Sequence, residues 1–149
     1  MLSFVSKKNN IFLLRESLVF GKPVENKFMF LDIGKLKFYI VKEIRDKILD
    51  KDRTLLFDNK KLENILNDYI FLCFFIGNDF IPSLLAYNIR NDGITNLLDI
   101  YIDLYATYSQ NFIVKDRINF NFLKQFIGKL NENETHLLSK MSEKRKRFR

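Results

Sequence analysis

The feature that most constrains the fold of this chain is an uninterrupted apolar run from Tyr69 to Ile76. Before it, apolar residues recur at three- and four-residue steps from Leu62, a spacing typical of a helix with one buried face. From Tyr69 onward every side of such a helix is apolar, so this end is predicted to be buried all round. Gly77 and Asn78 then end the helix, because both residue types tolerate the left-handed conformation of a C-terminal cap.

The same run is too short to cross a membrane, because a transmembrane helix needs about 20 apolar residues. Residues 1–16 contain no continuous apolar region followed by a small-residue cleavage site, so we expect no signal peptide. Cys73 is the single cysteine and cannot form an internal disulfide, which fits a reducing compartment. We therefore expect a cytoplasmic protein that binds no membrane, with a nuclear location as the alternative.

The rest of the chain predicts a mainly α fold with a few short N-terminal strands. A hydrophobic content of 47% over 149 residues suffices for one domain or part of a larger one. Asp32, Asn119 and Asn131 are placed to cap helices, since such side chains accept hydrogen bonds from free backbone N–H groups. The predicted strands are 10–15 and 28–31, separated by a loop over 19–27; the predicted helices are 32–49, 59–76, 94–108, 120–130 and 132–146; residues 112–114 are predicted to be extended.

Positive charge is concentrated at the C-terminal end of the chain. The net charge is +7, and the last ten residues supply +5 of it. A nucleic-acid surface on the body of the protein stays open, because composition alone does not reveal one. The basic tail begins at about residue 140. Lys144, Arg145, Lys146 and Arg147 are its candidates for RNA contact, with a nuclear import signal or a frayed terminus as alternatives.

Asp79 is the candidate metal ligand, because it directly follows the end of the apolar helix. A helix C-terminus presents unpaired carbonyls and about half a negative charge, which repels a carboxylate. A hard cation such as Mg²⁺ would reverse that repulsion, and it often takes only one or two carboxylates from one segment. On the pattern alone, the plainer alternative is favoured, in which Asp79 ends the helix and faces water.

Asp68 is the obvious second carboxylate, but helical geometry argues against a shared metal pair. Eleven residues of helix rise about 16 Å, whereas two catalytic metals lie about 4 Å apart. Asp68 is therefore expected to accept hydrogen bonds or to face solvent.

Other polar residues are given structural roles. Cys73 is expected to be a buried thiol, and His136 a surface residue. Asp99 and Asp103 share a helix face without a basic partner at that spacing, so a solvated face is expected. The chain contains no Gly-rich phosphate loop, no Ser/His/Asp set and no zinc-ligand spacing.

The segment DYIFLCFFIGNDFIPSL, residues 68–84, resembles the signature of the XRN family of 5′→3′ exoribonucleases. That signature begins with an aspartate, which is followed by an apolar run that contains aromatic residues and a cysteine. The run leads into the motif Gly-Asn-Asp-Phe, and a proline comes shortly after it. Four flanking segments are similar to family stretches in the same order, so the resemblance covers essentially the whole chain. These segments are MLSFVSKKNNIFLLRE, FMFLDIGKLKFYIVKEI, NDGITNLLDIY and FNFLKQFIGKL.

The resemblance implies a role for each residue of the Gly-Asn-Asp-Phe motif. Asp79 would be a catalytic residue that holds Mg²⁺ (or Mn²⁺) for phosphodiester hydrolysis, with Gly77, Asn78 and Phe80 as its scaffold. The substrate would be RNA with a 5′-monophosphate. Residues 1–27 would be the end of the sheet region of an α/β nuclease domain, and residues 28–149 its helical region.

The chain departs from the family in ways that bear on activity. The family's other acidic ligands, among them an Asp-x-Asp pair, lie upstream of the stretch matched by Met1. Ser83 stands where the family usually has histidine. We therefore expect a fragment that is inactive without a separately encoded N-terminal nuclease half. There are two alternatives: a non-catalytic helical module that binds RNA or protein, and a remnant without function. An upstream reading frame that encodes an Asp-x-Asp segment would favour the nuclease over both.

Overall fold

The computed structural model describes residues 11–20, 22–84 and 92–147, without the side chains of residues 19, 23–26 and 135–147. The chain divides into two compact units, Met1–Glu43 and Ile44–Arg149, and the division falls within the first helix. Four α-helices and four short strands lie in the described ranges. The prediction of a mainly α fold with short strands is therefore confirmed.

The first unit contains an antiparallel hairpin made of β1 (Phe12–Val19) and β2 (Lys22–Asp32). Phe12 pairs with Asp32, and the register shifts once, between Glu16 and Leu18. Helix α1 (Ile33–Lys51) follows β2 directly. The Oδ1 atom of Asp32 accepts a 3.1 Å hydrogen bond from the backbone N–H of Lys35, so Asp32 caps α1 as predicted.

The predicted loop over 19–27 is wrong, because most of these residues belong to β2. Gly21, Lys22 and Pro23 are turn-forming in composition, but cross-strand pairing continues through Pro23, which lies opposite Leu18. A two-stranded ribbon leaves one edge of each strand unpaired, so it can accommodate a proline that lacks an N–H donor. Phe20, with φ of +50°, lies at the tip between the two strands.

In the second unit, helix α2 (Asn59–Cys73) is followed by a single 3-10 turn, Phe74–Ile76, and later by helix α3 (Gly93–Tyr108). Asp58 caps α2, since its Oδ1 atom accepts a 2.7 Å hydrogen bond from the backbone of Lys61.

A small hairpin of β3 (Ile113–Val114) and β4 (Arg117–Ile118) precedes helix α4 (Phe120–Arg147). Asn119 caps α4 as predicted, through a 3.2 Å bond from the backbone of Phe122. The two helices predicted over 120–130 and 132–146 form one continuous helix, so the prediction of a cap at Asn131 is wrong. An asparagine inside a helix costs only a fraction of 1 kcal/mol. An ion pair between Lys129 and Glu132, at 2.8 Å, spans the predicted break.

The core of the second unit is built around the ring of Phe112, which is fully buried. Its centroid lies 5.0–5.5 Å from those of four other rings, contributed by Phe71, Tyr101, Phe122 and Phe126. The end of α2 is less enclosed than predicted: Leu72 is fully buried, but Phe74 is half exposed. Burial on every side is therefore wrong for this helix, because its described neighbours cover one face.

Candidate metal site

The loop that carries Asp79 begins at Gly77, whose backbone has φ of +78° and ψ of 169°. A Cβ atom at Gly77 would lie 2.5 Å from the backbone nitrogen of Ser83 and 2.9 Å from the carbonyl oxygen of Ile81. These neighbours are backbone atoms, so they cannot rotate away as the end of a side chain can. The loop returns so closely on itself that glycine is required at this position.

Asn78 holds the turn that presents Asp79. Its Oδ1 atom accepts hydrogen bonds from the backbone N–H groups of Phe80 at 2.8 Å and Ile81 at 2.9 Å. Its own N–H donates to the carbonyl of Ile81 at 2.8 Å. A further bond of 3.1 Å, from the N–H of Leu84 to the carbonyl of Phe75, ties the loop to the end of the helix. Asp79 therefore lies at the exposed turn of a loop closed by backbone bonds on both sides.

The fit of Asp79 to a metal is partial. Its carboxylate is exposed, and carboxylate oxygen is the ligand type that Mg²⁺ prefers. Among the side chains that the structure describes, no group of three or more from His, Cys, Asp and Glu could hold a metal ion. A metal ion bound by Asp79 would therefore need ligands beyond those that the described side chains provide.

Phe80 contributes its backbone N–H to the turn, while its ring is 93% exposed. The side chains of Ile81 and Leu84 are also exposed, as is Phe74 before the loop. Asp79 is thus flanked by apolar side chains that are exposed to solvent. Exposure of such an apolar patch is unfavourable unless another surface packs on it.

Asp68, the other carboxylate of the same segment, is fully buried. Its Oδ2 atom accepts hydrogen bonds from the hydroxyl of Tyr101 and from Nδ2 of Asn111, both at 2.8 Å. Its Oδ1 atom accepts a 3.0 Å bond from the backbone N–H of Ile113. Of the two roles predicted for Asp68, the structure selects hydrogen bonding, and these donors occupy both of its oxygens.

Burial raises the pKa of Asp68 to about 6, because an ionised carboxylate loses its hydration in the interior. The hydrogen bonds from Asn111, Ile113 and Tyr101 act in the opposite direction and limit the rise. The pKa of the Tyr101 hydroxyl is raised well above its ordinary range, chiefly by burial and then by the neighbouring Asp68 charge. Tyr101 therefore stays a neutral donor at every physiological pH.

The sequence contains one local signal for this cluster. Asp68 lies three residues after Ile65 and four before Leu72, and both of these residues are fully buried. An aspartate on the buried stripe of an amphipathic helix needs donors. Tyr101 and Asn111 are 33 and 43 positions away along the chain, however, so no local pattern identifies them.

Two other sequence predictions can be compared with the structure. Asp103 lies on an exposed face, as predicted, but it forms an ion pair with Lys51 from α1, so the expectation that it has no basic partner is wrong. Cys73 is only partly buried. Helix α4 extends through the basic residues Lys144–Arg147, but their side chains, like that of His136, lie outside the described part of the chain.

Comparison of the sequence with known proteins assigns the chain to a protein family. The family model described as "Xrn1 helical domain" matches residues 59–149, which is more than half of the chain. The chain therefore belongs to the XRN family, and the match includes both the loop of Asp79 and the Asp68 cluster. The predicted domain boundary at residue 28 stays a prediction.

Among similar curated proteins is 5'-3' exoribonuclease 2 of Arabidopsis thaliana, 26% identical over 130 residues, which are 87% of this chain. A 5'-3' exoribonuclease 2 homolog of Caenorhabditis elegans is 36% identical over 94 residues, which are 63% of this chain. The 5'-3' exoribonuclease 2 of Emericella nidulans is 38% identical over 76 residues, which are 51% of this chain. The matched regions are 12%, 9% and 7% of those three proteins. The chain thus spans about an eighth of its relatives' length or less. In the described ranges no helix is long and apolar enough to cross a membrane.

Proposed function

We propose that this chain forms part of a 5′→3′ exoribonuclease and contributes Asp79 as one ligand of a catalytic Mg²⁺ or Mn²⁺ ion. The observation that carries the proposal is the loop itself. Gly77 allows its backbone to return closely on itself, Asn78 Oδ1 accepts two backbone N–H groups of the turn, and the Asp79 carboxylate is left exposed. A ligand on a preformed loop loses little conformational freedom when it binds. Bound metal would polarise the phosphodiester and lower the pKa of a water molecule.

The substrate proposed is RNA degraded from its 5′ end, as in the names of the relatives. The 5′-monophosphate on that RNA is what the resemblance of the signature motif implies. Within this chain, Asp79 would hold the ion and Asn78 would keep its loop from opening. Lys144–Arg147 on the last part of α4 remain the proposed additional contacts to the RNA backbone.

A second polypeptide surface is proposed to complete the site, because one carboxylate cannot hold a metal pair. The hairpin of the first unit supports this view. Four consecutive residues of β2, Phe28 to Leu31, are all exposed, and consecutive strand residues point to opposite faces. A ribbon that is apolar on both faces is typical of a strand pair covered on both sides. The proposed partner is the N-terminal nuclease half.

The test is hydrolysis of radiolabelled 5′-monophosphate RNA with saturating Mg²⁺, first by the chain alone and then with the N-terminal half added. The chain alone should degrade nothing. The reconstituted enzyme should shorten RNA from its 5′ end, and Asp79→Asn should lower turnover by orders of magnitude. Asp99→Asn removes another exposed carboxylate, on α3, and should leave turnover unchanged.

Two outcomes would contradict the proposal: processive shortening by the chain alone, or full activity of Asp79→Asn. A denaturant melt without metal provides a further check. The stability of Asp79→Asn should equal or exceed that of the unmodified chain, because a carboxylate near helix carbonyls has been removed. A chain that binds RNA or a protein but never completes an active enzyme would favour the non-catalytic module instead.

A further inference from the structure

The three donors on Asp68 come from two different parts of the fold. Tyr101 belongs to α3, whereas Asn111 and Ile113 belong to the segment 111–113 that leads into β3. Asn111 is itself 8% exposed, so this contact is shielded from water along with the carboxylate. The Asp68 carboxylate therefore joins α2 both to its neighbouring helix and to a segment without helical bonds of its own.

The segment held by Asp68 places Phe112 against the last part of α2. The ring of Phe112 lies 5.2 Å from that of Phe71, which is three residues after Asp68 on the same helix face. Phe71 in turn lies 5.5 Å from Phe75, and Phe75 lies 5.8 Å from Phe126 of α4. The contacts thus continue along α2 from the carboxylate to the 3-10 turn.

Phe75 also connects this stack to the loop of Asp79. Its carbonyl accepts the hydrogen bond from Leu84 that closes the far side of the loop. Displacement of Phe112 would remove one of the two rings that pack on Phe71, and Phe71 is in turn a packing partner of Phe75. The 3-10 turn would then shift, and the loop that begins at Gly77 would shift with it.

We propose that Asp68 is a positioning residue for Asp79. By holding the segment 111–113 under α2, it keeps Phe112 in place and sets the position of the loop from which the Asp79 carboxylate projects. Asp68 itself contacts neither metal nor substrate. The proposal rests on the proposed function for its catalytic consequence, but its structural part can be tested independently.

The first test measures amide hydrogen exchange in the full chain of 149 residues. The two reporters are the N–H groups of Asn78 and Leu84, which donate the bonds that close the loop. Asp68→Ala should speed their exchange by about tenfold, relative to amides in the middle of α3. Tyr101→Phe keeps the ring and removes one donor to Asp68, so it should produce a smaller increase at the same two amides.

Leu97→Ala is the matched control, because Leu97 is fully buried in α3 and its truncation destabilises the same core. It should accelerate exchange throughout the unit without singling out the two loop amides. The proposal is overturned if those amides exchange no faster in Asp68→Ala and Tyr101→Phe than in Leu97→Ala. Should Asp68→Ala fail to fold, Tyr101→Phe decides the matter by itself.

The second test uses the reconstituted enzyme and measures the Mg²⁺ concentration that gives half-maximal turnover. A displaced metal ligand should raise this concentration several-fold in Tyr101→Phe, while the KM for RNA stays the same; Leu97→Ala should change neither quantity. Unchanged Mg²⁺ dependence in Tyr101→Phe would overturn the catalytic part of the proposal. If the unmodified enzyme is inactive, the proposed function fails, and the exchange experiment still decides whether Asp68 positions the loop.

Discussion

The hydroxyl of Tyr101 donates a 2.8 Å hydrogen bond to the carboxylate of Asp68, and both side chains are completely buried. The phenol ring also stacks on Phe112, with ring centroids 5.5 Å apart. One residue thus satisfies the buried charge with its polar end and packs the aromatic core with its ring. This dual use is characteristic of buried tyrosine.

Replacement of Asp68 by alanine should destabilise the fold. Two buried donors, from Tyr101 and Asn111, and the partly buried N–H of Ile113 would lose their acceptor. Each loss costs about 1–3 kcal/mol or less, while removal of a buried charge would return part of that cost. We expect a net loss of about 2–4 kcal/mol in the free energy of unfolding at pH 7, measured by urea denaturation. The control Asp99→Ala removes an exposed carboxylate and should change stability by about 0.5 kcal/mol or less. Equal effects of the two substitutions would show that the Asp68 cluster contributes little.

Stability should depend on pH through Asp68. Its folded-state pKa is about 6, whereas an aspartate in the unfolded chain titrates near pH 4, so the folded state binds the proton more tightly. The stabilisation from this group is therefore fully present below about pH 4 and is lost as pH rises through 6. Its full size is about 3 kcal/mol.

Asp68→Asn is the variant that isolates this dependence, because it cannot ionise and all other carboxylates are retained. The stability of the unmodified chain relative to Asp68→Asn, from urea melts between pH 4.5 and 7.5, should decrease as pH rises. If this relative stability increased with pH, the hydrogen bonds from the three donors would outweigh the effect of burial. The folded-state pKa of Asp68 would then lie below the ordinary value for aspartate.

Gly77→Ala should disrupt the loop of Asp79. The new Cβ would lie 2.5 Å from the backbone nitrogen of Ser83, at a φ of +78° that alanine rarely adopts. We expect a loss of about 1–3 kcal/mol in stability and a large loss of turnover in the reconstituted enzyme. Gly128→Ala is the control, since nothing lies within 4 Å of its added Cβ in α4; it should stabilise the chain by up to about 1 kcal/mol. A neutral Gly77→Ala would show that the loop is not constrained in this way.

The isolated chain should self-associate through its hairpin. Phe28 and Phe30 lie two residues apart on one face of β2 and are 55% and 73% exposed. Light scattering at micromolar concentration should detect oligomers, and the double change of Phe28 and Phe30 to Glu should reduce them. Phe120→Glu alters a comparably exposed ring on α4 and should have less effect, because that ring is not on a strand edge. A clean monomer with both phenylalanines present would contradict the expectation.

Local signals in the sequence were enough to locate the starts of α1 and α4 and the residues that cap them. Asp32 and Asn119 cap the helices they were predicted to cap, because an N-cap involves residues three positions apart and no distant partner. The motif Gly77-Asn78-Asp79 likewise predicted the helix end and the exposed carboxylate, since a tight turn is set by its own residues. The helix break expected at Asn131 does not occur. One weak helix former inside a long helix does not outweigh the helical residues that precede and follow it.

The tertiary structure decided the role of Asp68 and the environment of the aromatic residues. Whether an aspartate on an amphipathic helix faces water or a buried set of donors depends on segments 33 to 45 positions away, and only folding brings these together. The same holds for Phe112, which contacts rings from three helices. The sequence by itself determined where the chain turns and which residues are apolar. Packing determined which of those residues meet, because long-range contacts follow from the arrangement of whole elements and leave no local pattern.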